Sequence, residues 1–155
     1  MWNSKQSTTL SIVVSCIVVA AVTAGVLFGP WFVTTWFTVY RGWSETSPGM
    51  ERMLNIFSWC YYPCAVFAYI TLYSLIRLLF NIRNGNTFIR RNVTYLRRIS
   101  WCCYAVAGIT LVGGVFYLPF LVVAVAAGFV GLMLRVVKNV MQSAVEIREE
   151  NELTI

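Results

Sequence analysis

Histidine and aspartate are both absent from this 155-residue chain. Without them, most catalytic dyads and triads and most metal sites lose a member. Five cysteines are present, Cys16, Cys60, Cys64, Cys102 and Cys103. Each lies in an apolar stretch, where cysteine packs as a small hydrophobe, and no imidazole or aspartate stands by to complete a metal site around Cys60 and Cys64. Charge is scarce as well. Only 12% of the residues are charged, against about 25% in a typical soluble domain, so the chain lacks the polar surface to live in water. No charge falls in the middle of an apolar run, where pumps, ion pathways and voltage sensors carry one, and no inverted repeat is visible. A phosphate-binding loop and a hydrolase elbow are missing too. These absences argue against an enzyme and against any cofactor.

What is present is apolar and continuous. Hydrophobic residues make up 59% of the chain, and the mean hydropathy is +0.71. The runs are long and show no strand-like alternation, which excludes an outer-membrane barrel. They predict four spanning helices at about 10–36, 53–79, 99–117 and 120–138. The first run is too long for a signal core and lacks a small-x-small cleavage site close after it, so a retained helix is expected. A loop over 80–98 and a tail over 139–155 complete one integral membrane domain, 1–155. The expected fold is all-α: a four-helix transmembrane bundle with a cytoplasmic amphipathic helix between spans 2 and 3 and a cytoplasmic extension of helix 4.

Local signals refine this plan. Ala21, Gly25 and Gly29 form a small-residue stripe for close approach of another helix. Trp31, Phe32, Trp36, Phe37, Tyr40 and Trp43 read as an interfacial aromatic anchor rather than a ligand patch. Ser47-Pro48-Gly49 reads as a turn, and Pro30 and Pro63 predict local kinks. Spans 3 and 4, divided by Tyr117-Leu118-Pro119, should form a tight hairpin. Gly108, Gly113, Gly114, Ala124, Ala127, Gly128 and Gly131 supply its small positions.

The 80–98 segment is the long polar interruption. Asn84-Gly85-Asn86 signals a turn, with Asn86 or Thr87 as helix cap. Beyond it, Ile89, Val93 and Leu96 share one helical face, while Arg90, Arg91, Thr94, Arg97 and Arg98 share the other. Such a helix can lie among anionic head groups. The net charge of +6 is then topology-setting rather than a sign of direct nucleic-acid binding. The positive-inside rule places this loop and both termini in the cytoplasm. There Asn92-Val93-Thr94, although a glycosylation pattern, carries no meaning. Past Arg135 and Lys138, the spacing of Met133, Val137, Val140, Ala144 and Ile147 suggests a seam on the last helix that packs on the basic-loop helix or on a partner.

The cytoplasmic face therefore carries a basic helix and an acidic tail. Arg90, Arg91, Arg97 and Arg98, with Glu146, Glu149, Glu150, Glu152, Leu153 and Ile155, are the candidate partner-binding residues. The simplest account is that the arginines set topology and the glutamates solubilise the tail. The sharper account is a docking face, with Leu153-Thr154-Ile155 adding a strand or filling a groove.

Two segments carry a resemblance. Gly85-Asn86-Thr87-Phe88, Asn92-Val93 and Leu96-Arg97-Arg98-Ile99 resemble the loop signature of a bacterial four-helix membrane family. Ala144-Val145-Glu146-Ile147 and Glu150-Asn151-Glu152-Leu153-Thr154-Ile155 resemble its C-terminal signature. The family is catalogued as a domain of unknown function, number twenty-nine seventy-five, and Pro30-Trp31 and Pro63 fit it as well. Its members are often encoded beside a small Cro-type helix-turn-helix regulator. The resemblance implies a non-enzymatic inner-membrane regulator that binds or sequesters such a transcription factor. The other reading is a small transport, efflux or immunity protein acting through its transmembrane bundle, which a polar cavity at Pro63 near Ser58, Tyr61 and Tyr62 would favour. The partners expected are membrane lipids, the cytoplasmic helix-turn-helix regulator and, at the level of assembly, a homo-oligomer.

Overall fold

A computed structural model describes the backbone of residues 4–42 and 48–153 and the side chains of 9–40, 42 and 48–151. Four helices follow one another: α1 (Ser4–Arg41), α2 (Pro48–Arg83), α3 (Arg90–Gly114) and α4 (Leu118–Leu153). The described residues contain no strand. Pro30 and Pro63 both sit inside continuous helices, which an apolar surround and neighbouring helices tolerate. Pro48 and Gly49 do not form the expected turn. Pro48 opens α2, where its missing N–H would be unpaired anyway.

α1, α2 and α4 are each long and apolar enough to cross a membrane. The amphipathic segment and the third apolar run are one helix rather than two, because α3 starts at Arg90 and continues unbroken to Gly114. Its first nine residues carry four arginines. That leaves 99–114 as its apolar stretch, about 24 Å at the α-helical rise, and α3, expected as the third span, is not among the helices long and apolar enough to cross.

Burial runs opposite to that of a soluble protein. Large apolar side chains face outward along the helices, among them Leu27, Val122 and Phe129. Ser15, Ser74, Ser100, Thr110 and Asn92 are buried. In a lipid surround, packing and hydrogen bonds between helices hold a bundle together, and small or hydroxyl residues allow the close approach. Three of the hydroxyls bond back to their own helix: Ser15 to the Ser11 carbonyl, Ser74 to Ile70 and Thr110 to Val106. The chain is a membrane protein.

The helices pack in series. α1 lies on α2, α2 on α3, and α3 on α4, the last pair most extensively. Three contacts fix the α3–α4 pair as antiparallel along its length. Arg90 meets Glu149, the Ser100 hydroxyl donates to the Gly131 carbonyl at 2.9 Å, and Gly114 lies against the backbone of Leu121. The turn between them is 115–117, two residues earlier than the sequence suggests, because Leu118-Pro119 can open a helix. Gly113 admits the Cys60 sulfur and the Phe120 ring, and Gly131 admits Tyr104 and Cys103. Gly108 faces open space instead of the hairpin interface.

The expected seam on the end of α4 does not pack on the start of α3. Met133, Val137, Val140 and Ile147 are exposed. The inward stripe is Ala124, Gly128, Gly131, Leu134, Lys138, Met141, Val145 and Glu149. Within the apolar run this follows from the outward face of a membrane helix being the more apolar one.

Candidate functional site at the arginine-rich end

The segment joining α2 to α3 is tightly built. Gly85 has φ +81. The Asn86 N–H donates to the Asn81 carbonyl at 3.0 Å and the Gly85 N–H to Ile82 at 3.1 Å. This pair of bonds around a left-handed glycine closes the end of α2, as Asn84-Gly85-Asn86 suggests. The cap of α3 differs from expectation. Ile89, in extended backbone, takes the N-cap position with no side-chain cap bond. Neither Asn86 nor Thr87 caps the helix with its side chain; both offer carbonyls. Asn92, with 0% exposure, donates from Nδ2 to the Asn86 and Thr87 carbonyls, each at 2.8 Å. Its Oδ1 accepts from Asn81 Nδ2 at 2.8 Å. A buried amide is tolerated because it is so well paired. Its burial also shuts the Asn92-Val93-Thr94 pattern to a glycan.

Val93 and Leu96 are buried and Arg90, Arg91, Arg97 and Arg98 exposed, so the amphipathic reading of this stretch holds. Arg90 reaches Glu149 on α4. Nη2 donates to Oε2 at 2.6 Å and Nε to Oε1 at 2.9 Å, the two-point fork that guanidinium geometry favours. These hydrogen bonds hold the Glu149 carboxyl below its ordinary range, against a smaller opposing effect of desolvation. The same bonds push Arg90 up. Both side chains stay open to solvent, at 78% and 41%, so the contact positions the tail rather than strongly stabilising it.

Of the other candidates, Glu146 adds its charge to the field at Arg90, while Arg91, Arg97 and Arg98 make no ion pair with the tail among the described residues. Glu146 accepts from Gln142 on its own helix at 3.0 Å. Glu150 is exposed near the end of α4. The side chains of Glu152 and Leu153, and all of Thr154 and Ile155, lie outside the described residues, as do Trp43, Glu45 and Ser47.

Arg97 instead borders a cleft of about 270 Å³ between α3 and α4, with Ser100, Trp101, Tyr104, Arg135 and Lys138. Reading by sequence overlooks Arg135 and Lys138 as site residues, since they register only as flanking charges. It also overlooks Asn81 and Asn92. A signal exists for Asn92: it falls on the same stripe as Ile89, Val93 and Leu96, and a polar residue on an apolar face needs a partner.

At the opposite end, an apolar cavity of about 640 Å³ opens between α1, α2 and the α3–α4 turn. Phe32, Trp36, Phe37, Tyr61 and Tyr117 are among its walls, and no charged residue lines it. Gly25 and Gly29 seat Tyr61 of α2, so two members of the small-residue stripe do accept a neighbour; Ala21 is exposed. Trp31, Phe32 and Tyr40 face outward, in keeping with an interfacial anchor. At Pro63 there is a shallow hollow beside Ser58, Trp59 and Tyr62, without Tyr61. No three cysteine or glutamate side chains gather as metal ligands among the described residues.

The pattern of one family, "Protein of unknown function (DUF2975)", matches residues 38–155. That span covers most of the chain and all of the arginine-rich end, and the chain belongs to this family. No curated protein and no solved structure matches it.

Proposed function

We propose that this DUF2975 protein is a non-enzymatic regulator in the bacterial inner membrane. Both termini and the arginine-rich end lie in the cytoplasm, where that end binds a small helix-turn-helix transcription factor. The orientation rests on charge. Of twelve lysines and arginines, only Arg41 and Arg52 lie toward the far end of the bundle, which the positive-inside rule assigns to the outside. The observation that carries the docking reading is the Arg90–Glu149 fork. It joins the start of α3 to the end of α4, so that two segments distant in sequence present one surface of mixed charge. A helix-turn-helix protein is the partner that the family resemblance implies.

The test is co-purification of the full chain with a Cro-type helix-turn-helix protein, compared with a chain lacking 149–155 and with Arg90→Glu. Loss of recovery in both variants supports the reading. Equal recovery from the truncated chain removes the tail's role. A transport, efflux or immunity protein is the second reading, favoured by the uncharged aromatic cavity. Efflux of an apolar dye that disappears with Tyr61→Ala would support it.

A further inference from the structure

Most cations near the membrane–water boundary of a helical protein are explained by topology alone. Arg97, Arg135 and Lys138 ask for more, because they do not simply flank their helices. They come from two antiparallel helices and border one hollow of about 270 Å³. No carboxylate lines that hollow. Arg90 has Glu149, whereas Arg97, Arg135 and Lys138 have no ion-pair partner among the described residues. Three like charges held together without a counter-ion repel one another, and an anion between them relieves the repulsion.

The rest of the wall suits an anion that arrives from a bilayer. Ser100 is buried, and its hydroxyl donates to the Gly131 carbonyl at 2.9 Å, which ties α3 to α4 at the level of the hollow. Gly131 lets the Tyr104 ring pack close. Tyr104 meets Trp101 edge-on, with ring centroids 6.3 Å apart, and Trp101 is 65% exposed. Along α3 the order is arginine and then, one to two turns deeper, Trp101 and Tyr104. Along α4 the cations follow directly on the apolar run. Cations at phosphate depth with tryptophan and tyrosine just below reproduce the layering of a lipid head group over its glycerol and upper chain.

We propose that this cleft is a phosphate site and that its occupant is the head group of an anionic phospholipid. Arg97, Arg135 and Lys138 hold the phosphate, and Trp101 and Tyr104 flank the glycerol region. The site needs only that the chain lies in a membrane, so it stands or falls apart from the docking of a regulator.

Native mass spectrometry of the full chain, delipidated and then supplied with phosphatidylglycerol or phosphatidylcholine, tests this directly. One phosphatidylglycerol per chain should be retained in preference to phosphatidylcholine. Arg135→Gln or Lys138→Gln should weaken that retention about five-fold each, and the double variant about 25-fold, from the contribution of one cation near an anionic surface. Lys138→Arg should retain it. Arg83→Gln with Arg91→Gln removes the same charge outside the cleft and should leave retention unchanged; equal loss in that variant overturns the site in favour of diffuse attraction. Inorganic phosphate is the third arm. Displacement of phosphatidylglycerol by millimolar phosphate would overturn the lipid as occupant and assign the cleft to a free phosphate compound. An unaltered thermal transition in each variant shows that folding is intact.

Discussion

The Asn81 side-chain amide donates to Oδ1 of Asn92 at 2.8 Å, joining the last turns of α2 to the first turn of α3 across the basic loop. Because Asn92 also holds the Asn86 and Thr87 carbonyls, one buried side chain organises the whole connection. The loop is a fixed corner rather than a tether.

Replacing Asn92 by alanine should therefore be costly. It removes three hydrogen bonds and strands Asn81, for about 1–3 kcal/mol. The expected result is a lower thermal transition in detergent and faster proteolysis within 84–89. A transition equal to the wild type would show that the amide network is incidental.

Glycines on α3 should separate by what they face. A Cβ at Gly114 would lie 3.1 Å from the Leu121 backbone nitrogen, and backbone cannot move aside cheaply. Gly114→Ala should destabilise by about 1–3 kcal/mol. Gly108 meets nothing within 4 Å, so Gly108→Ala should be neutral or stabilise by up to about 1 kcal/mol through helix propensity. Paired thermal scans decide between them.

The tail contact should depend on pH in one direction. Glu149 has a lowered carboxyl pKa in the folded chain, so the contact is complete above the ordinary value of 4.5. It is lost as pH falls through the folded value. Arg90, already cationic throughout, adds no transition at neutral pH. Spin labels at Thr87 and Asn151 should keep one distance from pH 8 to about pH 5 and spread at lower pH. Glu149→Gln should show the spread at neutral pH.

α1 should be separable from the rest. Among the described residues its helix-to-helix packing is on α2, through Tyr61 over Gly25 and Gly29 and through the Tyr69 hydroxyl, which donates to Thr23 at 2.9 Å. Phe37 adds one ring contact to Tyr117 of the α3–α4 turn. Gly29→Leu should unseat it. In a chain with its native cysteines replaced by alanine, a Thr23→Cys, Tyr69→Cys pair should be joined by a short bifunctional thiol reagent, and lose that crosslink on adding Gly29→Leu. The α3–α4 hairpin should keep its protease resistance, and joint loss of both would contradict serial packing.

Length and continuity of the apolar runs were enough to establish helices and a membrane environment, because an apolar run without strand-like alternation closes its backbone hydrogen bonds within a helix. Gly85 and the alternation of arginine with Val93 and Leu96 were equally readable, since left-handed turns and amphipathic faces are local properties. What lay beyond local pattern depended on which helix faced which. Apolarity marked Met133, Val137, Val140 and Ile147 as a seam without saying what covers it, since lipid and protein are equally apolar surroundings. Small size and polar pairing made that choice instead, at Gly131, Ser100 and Asn92. The same folding brought Arg97 beside Arg135 and Lys138, and Arg90 to Glu149, pairs separated by tens of residues that meet only when α3 and α4 run antiparallel.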